Sequence, residues 1–318
     1  MRILLVTPAA RGSRKGNRVT ALRWAGQLRA LGHRVALAEA WRGQEADVLI
    51  AVHATKSHAS IARWARERPR APLVVGVAGT DLYQDLPSSP EARRSLDLAT
   101  RITVLQPLGL DALPAHVRQR ARAIVQSAHA ARPIPPPPGA FQVCLLAHLR
   151  AVKDPFLAAA AVRRLPPASR LTVEHLGAAL DPDAAERARR AMEESPRYRW
   201  LGEAPRARAL GVLAGSQALL VTSRLEGGCN AVSEAVASGV PVISTRVDGS
   251  VGVLGPDYPG LFPAGDAAAL RELLLRVEAD AAFLERLRAA VLRLRPLVHP
   301  HREREAWRAL LEELRPGA

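Results

Sequence analysis

The sequence predicts a two-domain α/β protein, each domain a parallel sheet with helices on both faces. Three observations carry this. Short apolar runs alternate with longer stretches of helical period. A proline run divides that series into two similar halves. The 318 residues also exceed what one core usually fills, about 250–300 residues.

The elements follow in order. Residues 2–6 (RILLV) read as the first strand, since the run is too short for a signal-peptide core. Residues 17–31 have helical period, with Val19, Leu22, Trp24, Leu28 and Leu31 apolar, and Gly32 and His33 end the helix. Strands are expected at 34–38, 47–52, 73–77, 102–105 and 123–125. Residues 133–138 (PIPPPP) suit neither a helix interior nor a central strand and read as a stiff linker. A second βα series follows, with strands at 141–147, 171–174, 198–201, 218–222 and 240–244. Its helices start near 154, 182, 205 and 230, and one long helix runs over 266–293 with Asp266 as N-cap. Pro296 and Pro300 break that helix, and 301–315 is helical again, with Trp307, Leu310, Leu311 and Leu314 on one stripe. The expected organisation is therefore a first Rossmann-like domain at 1–132, a linker at 133–140 and a second Rossmann-like domain at 141–296. A helix at 297–318 is expected to cross back to the first. Ligands are expected in the cleft between the domains.

Composition narrows the function. Hydrophobic residues are 48% and charged residues 24%, and no apolar run reaches the roughly 18 residues of a membrane span. Two distant cysteines, Cys144 and Cys229, make neither a disulfide framework nor a zinc cluster, so a cytoplasmic location is expected. The net charge of +15 raises nucleic acid as a partner. Three features oppose it. The arginines sit on helical patterns, as at Arg187, Arg189, Arg190, Arg286, Arg288, Arg293 and Arg295, and read as solvated faces. Aromatics, at 4%, are too few for stacking platforms. Abundant arginine, alanine and proline match GC-rich coding. Against that background the only three lysines, Lys15, Lys56 and Lys153, mark positions where arginine is a poor substitute.

Phosphate-loop, dinucleotide, zinc-protease and serine-hydrolase signatures are absent. One segment, 223–243, carries chemistry. A buried strand runs into Gly227 and Gly228, which lead into a helix beginning near Asn230. Free amides and the helix dipole there favour an anion. Glu226 precedes the loop and Glu234 lies two turns into the helix, so one carboxylate suits a sugar and the other a ribose. Gly227 and Gly228 by themselves read more simply as an ordinary βα turn.

The whole segment, E-G-x-x-N-x-x-x-E-A-x-A-x-G-x-P-V-I from Glu226 to Ile243, resembles the donor signature of the retaining GT-B glycosyltransferases that include the sucrose synthases. Residues 259–266 (PGLFPAGD) resemble the stretch before that family's long helix. Residues 147–155 (AHLRAVKDP) resemble its G-R-L-x-x-x-K-G segment. The resemblance implies a GT-B fold and a UDP-sugar donor. Lys153 falls on the family's diphosphate lysine, while His148 stands where an arginine is usual and Arg150 is the candidate replacement. Lys153, Arg150 and Glu226 are the expected catalytic residues. Lys153, His148, Glu226, Gly227, Gly228, Cys229, Asn230 and Glu234 are the expected donor contacts. Lys153 and a helix N-terminus supply positive charge for the leaving group. No Asp-x-Asp pair suits Mg²⁺ or Mn²⁺, so no cofactor or metal is expected.

The first half offers a basic loop after its first strand, with Ser13, Arg14, Lys15, Gly16, Asn17 and Arg18 at the start of a helix. Such a position favours an anion, and a solvated loop is the plainer alternative. His53, Lys56 and Asp81 follow later strands. His53 equally suits a core, Asp81 a turn cap and Lys56 open solvent. The run 12–25 (GSRKGNRVTALRWA), then 53–57 (HATKS), then 148–155 (HLRAVKDP) resembles the selenosugar synthases of selenoneine biosynthesis. That resemblance implies UDP-N-acetylglucosamine or UDP-glucose as donor, selenophosphate as acceptor and a carbon–selenium bond in the product. An anionic selenium nucleophile needs an electropositive pocket and no general base. The alternatives are a GT-B enzyme with a hydroxyl acceptor, a UDP-sugar 2-epimerase and a nucleic-acid binder.

Overall fold

The computed structural model describes residues 1–13, 15–180 and 182–315. It divides into two compact units. The first comprises Met1–Ser127, Glu226–Gly228 and the segment from His299 on; the second comprises Ala128–Leu225 and Cys229–Val298.

In the first unit, strands β1 (Arg2–Val6), β2 (Arg34–Ala38), β3 (Val48–Val52), β4 (Leu73–Gly76), β5 (Arg101–Val104) and β6 (Ala121–Ala123) pair in parallel in the order β2-β1-β3-β4-β5-β6. Helices α1 (Gly16–Ala30), α2 (His58–Glu67), α3 (Pro90–Leu98) and α4 (Ala115–Arg118) connect them. β3 and β4 are buried at every residue, as strands covered on both faces must be. Asp47, expected within the third strand, lies just outside it, where its carboxylate accepts the Arg2 backbone N–H at 2.7 Å. The strand expected at 123–125 is shifted to Ala121–Ala123.

In the second unit, β7 (Phe141–Leu146), β8 (Leu171–Leu176), β9 (Tyr198–Trp200), β10 (Ala218–Val221), β11 (Val242–Thr245) and β12 (Leu261–Phe262) form a second parallel sheet, ordered β12-β11-β10-β7-β8-β9. Its helices are α5 (Phe156–Val162), α6 (Pro182–Glu194), α7 (Arg206–Gly215), α8 (Asn230–Ser238), α9 (Asp248–Leu254), α10 (Ala267–Ala279) and α11 (Ala281–Leu294). The single helix expected over 266–293 is thus two. Asp280 leaves helical geometry and its carboxylate accepts the Phe283 N–H at 2.8 Å, capping α11. The proline run packs on α7 in this unit. The Ile134 N–H donates to the Gly211 carbonyl at 2.8 Å, so the division between units falls before the run, at 127/128.

The last helix, α12 (Pro300–Glu312), groups with the first unit. Pro300 starts it rather than breaking one, because the first helical position needs no backbone N–H. Trp307 packs edge-on against Trp24 at 4.9 Å between centroids, a contact worth about 1 kcal/mol beyond burial. Glu303, buried, receives Arg23 at 3.0 Å and the Ser127 amide and hydroxyl. Among the described residues no helix is long and apolar enough to cross a membrane.

Candidate functional site

In open parallel sheets, ligands sit at the carboxyl ends of the strands where strand order reverses. Each sheet has one such point. In the first it lies between β1 and β3, and in the second between β7 and β10. The residues singled out from sequence mostly fall on the loops leaving these strands.

In the second unit the two loops are fastened together. After β7 the chain makes a single 3-10 turn at Ala151–Lys153 and then places Asp154 in the left-handed region, at φ 42°. The Thr222 hydroxyl donates to the Lys153 carbonyl at 2.8 Å, and the Arg224 N–H to the Val152 carbonyl at 2.9 Å. The Arg224 guanidinium meets the Asp154 carboxylate at 2.8 Å. Lys153 is half-buried within this clasp and Arg150 is exposed at its start. The His148 Nδ1 accepts the Ala178 N–H at 3.0 Å. Beneath the loop, Gly177 passes so close to Ala147 that a Cβ there would overlap the Ala147 carbonyl. His175, fully buried, bonds the same carbonyl through Nε2 at 2.8 Å and the Tyr198 hydroxyl through Nδ1 at 2.6 Å. Burial pushes its pKa down to about 4, so the imidazole is neutral at pH 7.

The loop after β10 ends at Cys229, a buried residue preceding the first turn of α8. Asn230 opens α8, and Glu234 lies one turn into it rather than the two expected, since four residues make about one turn; it is buried, with Arg206 at 2.6 Å. Glu226, Gly227 and Gly228 belong to the first unit. There a Cβ on Gly227 would overlap the backbone of Ala78 and Gly79, and one on Gly228 would overlap Leu105. Close packing therefore demands these two glycines, a reason that sequence reading does not supply.

In the first unit the basic loop after β1 is held by local bonds. The Ser13 N–H donates to the Ala10 carbonyl at 3.0 Å and the Lys15 N–H to the Ser13 hydroxyl at 3.2 Å. Lys15 and Gly16 are exposed, and Ser13, Asn17 and Arg18 are half-buried. The first turn of α1 carries no acid, and among the described residues no side chain caps it. Arg14 lies outside the described residues.

His53 and Asp81 come together beneath the loops after β3 and β4. The Asp81 carboxylate, fully buried, accepts the Ala54 N–H at 2.9 Å and the Ala78 N–H at 2.7 Å, and lies 3.8 Å from His53 Nδ1. Burial pushes the His53 pKa down. Its Nδ1 accepts the Lys56 N–H at 3.4 Å, and its Nε2 faces the Thr80 hydroxyl at the same distance. His53 is held at φ 76°, a strained conformation of the kind that gathers at ligand sites. Lys56 is exposed. Asp81 also opens a single π-helical turn to Asp85, which accepts the Thr55 hydroxyl at 2.8 Å. Among the described residues no group of three His, Cys, Asp or Glu side chains is placed to hold a metal ion.

Sequence reasoning missed Thr222, Asp154, Arg224 and Arg206. Asp154 and Arg224 lie inside the 147–155 and 223–243 segments, but they stand far apart in the chain and nothing in either segment announces their pairing.

Residues 127–292 match the family model described as glycosyl transferases group 1. The chain belongs to this family. No curated protein matches it in sequence. Among solved structures, this glycosyltransferase is similar to a sucrose-phosphate synthase from Thermosynechococcus elongatus, with TM-score 0.79, 18% identity and 98% of each chain covered. It is also similar to Anabaena HepE in complex with UDP-glucose, with TM-score 0.77, 16% identity and 99% of each chain covered. A glycosyltransferase from Rickettsia africae matches with TM-score 0.71 and 12% identity, over 100% of this chain and 99% of that one. At these identities the likeness shows the fold, which is GT-B.

Proposed function

We propose that this glycosyltransferase transfers a sugar from UDP-N-acetylglucosamine or UDP-glucose to selenophosphate. The selenium lone pair attacks the anomeric carbon, the carbon–oxygen bond to the β-phosphate breaks, and its electron pair leaves with UDP. The phosphorus–selenium bond stays intact in this step. The observation that carries the donor half is the fastened loop around Lys153 at the second sheet's reversal point. HepE, a protein of the same fold, binds UDP-glucose, which supports the nucleotide.

Lys153 and Arg150 stabilise the departing diphosphate, and His148 and the amides of Gly227, Gly228, Cys229 and Asn230 hold its oxygens. Glu226 accepts from the sugar hydroxyls and Glu234 from the ribose. These charges serve the leaving group without a metal, so chelation is expected to leave the rate unchanged. Ser13, Arg14, Lys15, Gly16, Asn17 and Arg18 hold the acceptor anion, with Lys56 adding charge and the His53–Asp81 pair shaping the floor.

A hydroxyl acceptor is the second reading, favoured by the histidine–carboxylate pair, which resembles a general base with its partner. Both ring nitrogens of His53 already face partners, and the ring is only 1% exposed, which favours the anionic acceptor.

Mass spectrometry of the purified protein with UDP-N-acetylglucosamine or UDP-glucose and selenophosphate tests this. The expected result is UDP together with a product carrying the selenium isotope pattern and the sugar mass. UDP release only with hydroxyl acceptors would establish the second reading. Isomerised donor in the absence of any acceptor would establish an epimerase. Salt-sensitive RNA or DNA binding with no UDP release would remove the enzyme reading.

A further inference from the structure

We propose that Arg206 is a positioning residue for nucleotide recognition, acting through Glu234. This rests on the reading of Glu234 as the ribose contact. The Glu234 side chain is 8% exposed, within α8, and its Oε1 lies 2.6 Å from an Arg206 terminal nitrogen. Arg206 is the first residue of α7, entered from Pro205 in an extended conformation, and its side chain is 55% exposed. One partner is therefore fixed in the interior and the other reaches it from the rim.

The chemistry gives this pair a definite job. A buried carboxylate without a cation is costly and escapes the cost by turning away or by taking up a proton. Either change removes an acceptor that ribose hydroxyls need. A guanidinium bond to one oxygen favours a single rotamer of the group, while a carboxylate offers about four lone-pair sites in all. Hydroxyl donors then meet an acceptor already oriented, and orientation in advance is what converts a hydrogen bond into affinity. Arg206 thus sets how strongly the site distinguishes a ribose from a sugar lacking its hydroxyls, without touching the nucleotide.

The test compares calorimetric binding of UDP and 2′,3′-dideoxy-UDP to the wild type, Arg206→Ala, Arg206→Gln and Arg206→Lys, with thermal melting as a check on folding. The wild type is expected to prefer UDP by about tenfold or more, the range for hydroxyl hydrogen bonds to a buried charge. Arg206→Ala and Arg206→Gln are expected to cut that preference to about twofold by weakening UDP alone, and Arg206→Lys to restore part of it. A general structural role would weaken both nucleotides alike, and that result overturns the proposal. So does an unchanged preference, or tighter UDP binding in Arg206→Ala, which would mean that the arginine obstructs the carboxylate. A wild type that binds no UDP overturns the donor reading itself, whereas an unchanged preference overturns only the role of Arg206.

Discussion

At the carboxyl end of the second sheet, the loops after β7 and β10 hold each other through a hydroxyl, a backbone amide and an ion pair, with Lys153 between them. At the corresponding end of the first sheet, the loop after β1 is tied mainly to itself, and its Lys15 stands in solvent. Rigidity there lies one layer down, where Asp81 binds two backbone amides beneath the loops after β3 and β4. The same topology thus supports a preformed cradle in one unit and an open basic loop over a fixed floor in the other. A diphosphate that must be stabilised as it leaves suits the first arrangement. A small anion that must enter and depart as product suits the second.

The largest expected effect breaks the fastened cradle from below. Gly177→Ala places a methyl group against the Ala147 carbonyl at the root of the β7 loop. It is expected to cost more than about 3 kcal/mol, read by denaturant unfolding, because the obstacle is backbone rather than a mobile side chain. Lys153→Ala is next, with UDP release in the presence of acceptor expected to fall by about a hundredfold or more.

His175 supplies a pH test of the same region. Its folded pKa of about 4 lies below the ordinary value of about 6.5, so the unfolded chain binds the proton more readily. The contribution is present above about pH 6.5 and is lost as pH falls toward 4. It should reach about 3 kcal/mol, the loss shrinking in His175→Asn when unfolding is followed from pH 7.5 to 4.5. In the first unit, Asp81→Ala leaves the Ala54 and Ala78 amides without an acceptor and is expected to cost about 2 kcal/mol, also by unfolding. The smallest effect belongs to the open loop. Lys15→Ala is expected to lower kcat/KM for selenophosphate about tenfold, with the KM for the UDP-sugar unchanged.

Much of this difference is invisible in the sequence, and particular residues show why. Alternating apolar runs make β1, β3, β7 and β10 legible, because a buried parallel strand writes its environment into consecutive side chains. The stretch from Glu226 to Glu234 is legible because its residues stand close together in the chain and resemble a known signature. Asp280 reads as one more residue in a helical pattern until its carboxylate is seen capping the next helix. Gly227 and Gly228 look like an anion loop, whereas the first demand on them is the room they leave for Ala78, Gly79 and Leu105. Asp81 looks like a turn residue, and only the fold buries it beneath two amides. Arg206 has no pattern around it, and Arg224, though inside the 223–243 segment, gives no sign there of its partner. Each acquires its meaning from a carboxylate that the fold brings from elsewhere in the chain.

The contrast between the two loops is tested most directly by calorimetric titration of UDP into the wild type, Lys153→Ala and Lys15→Ala. The expected result is binding to the wild type, a loss of about tenfold or more in Lys153→Ala, and a change within about twofold in Lys15→Ala. Binding that depends on Lys15 and not on Lys153 would place the nucleotide on the open loop and contradict the account.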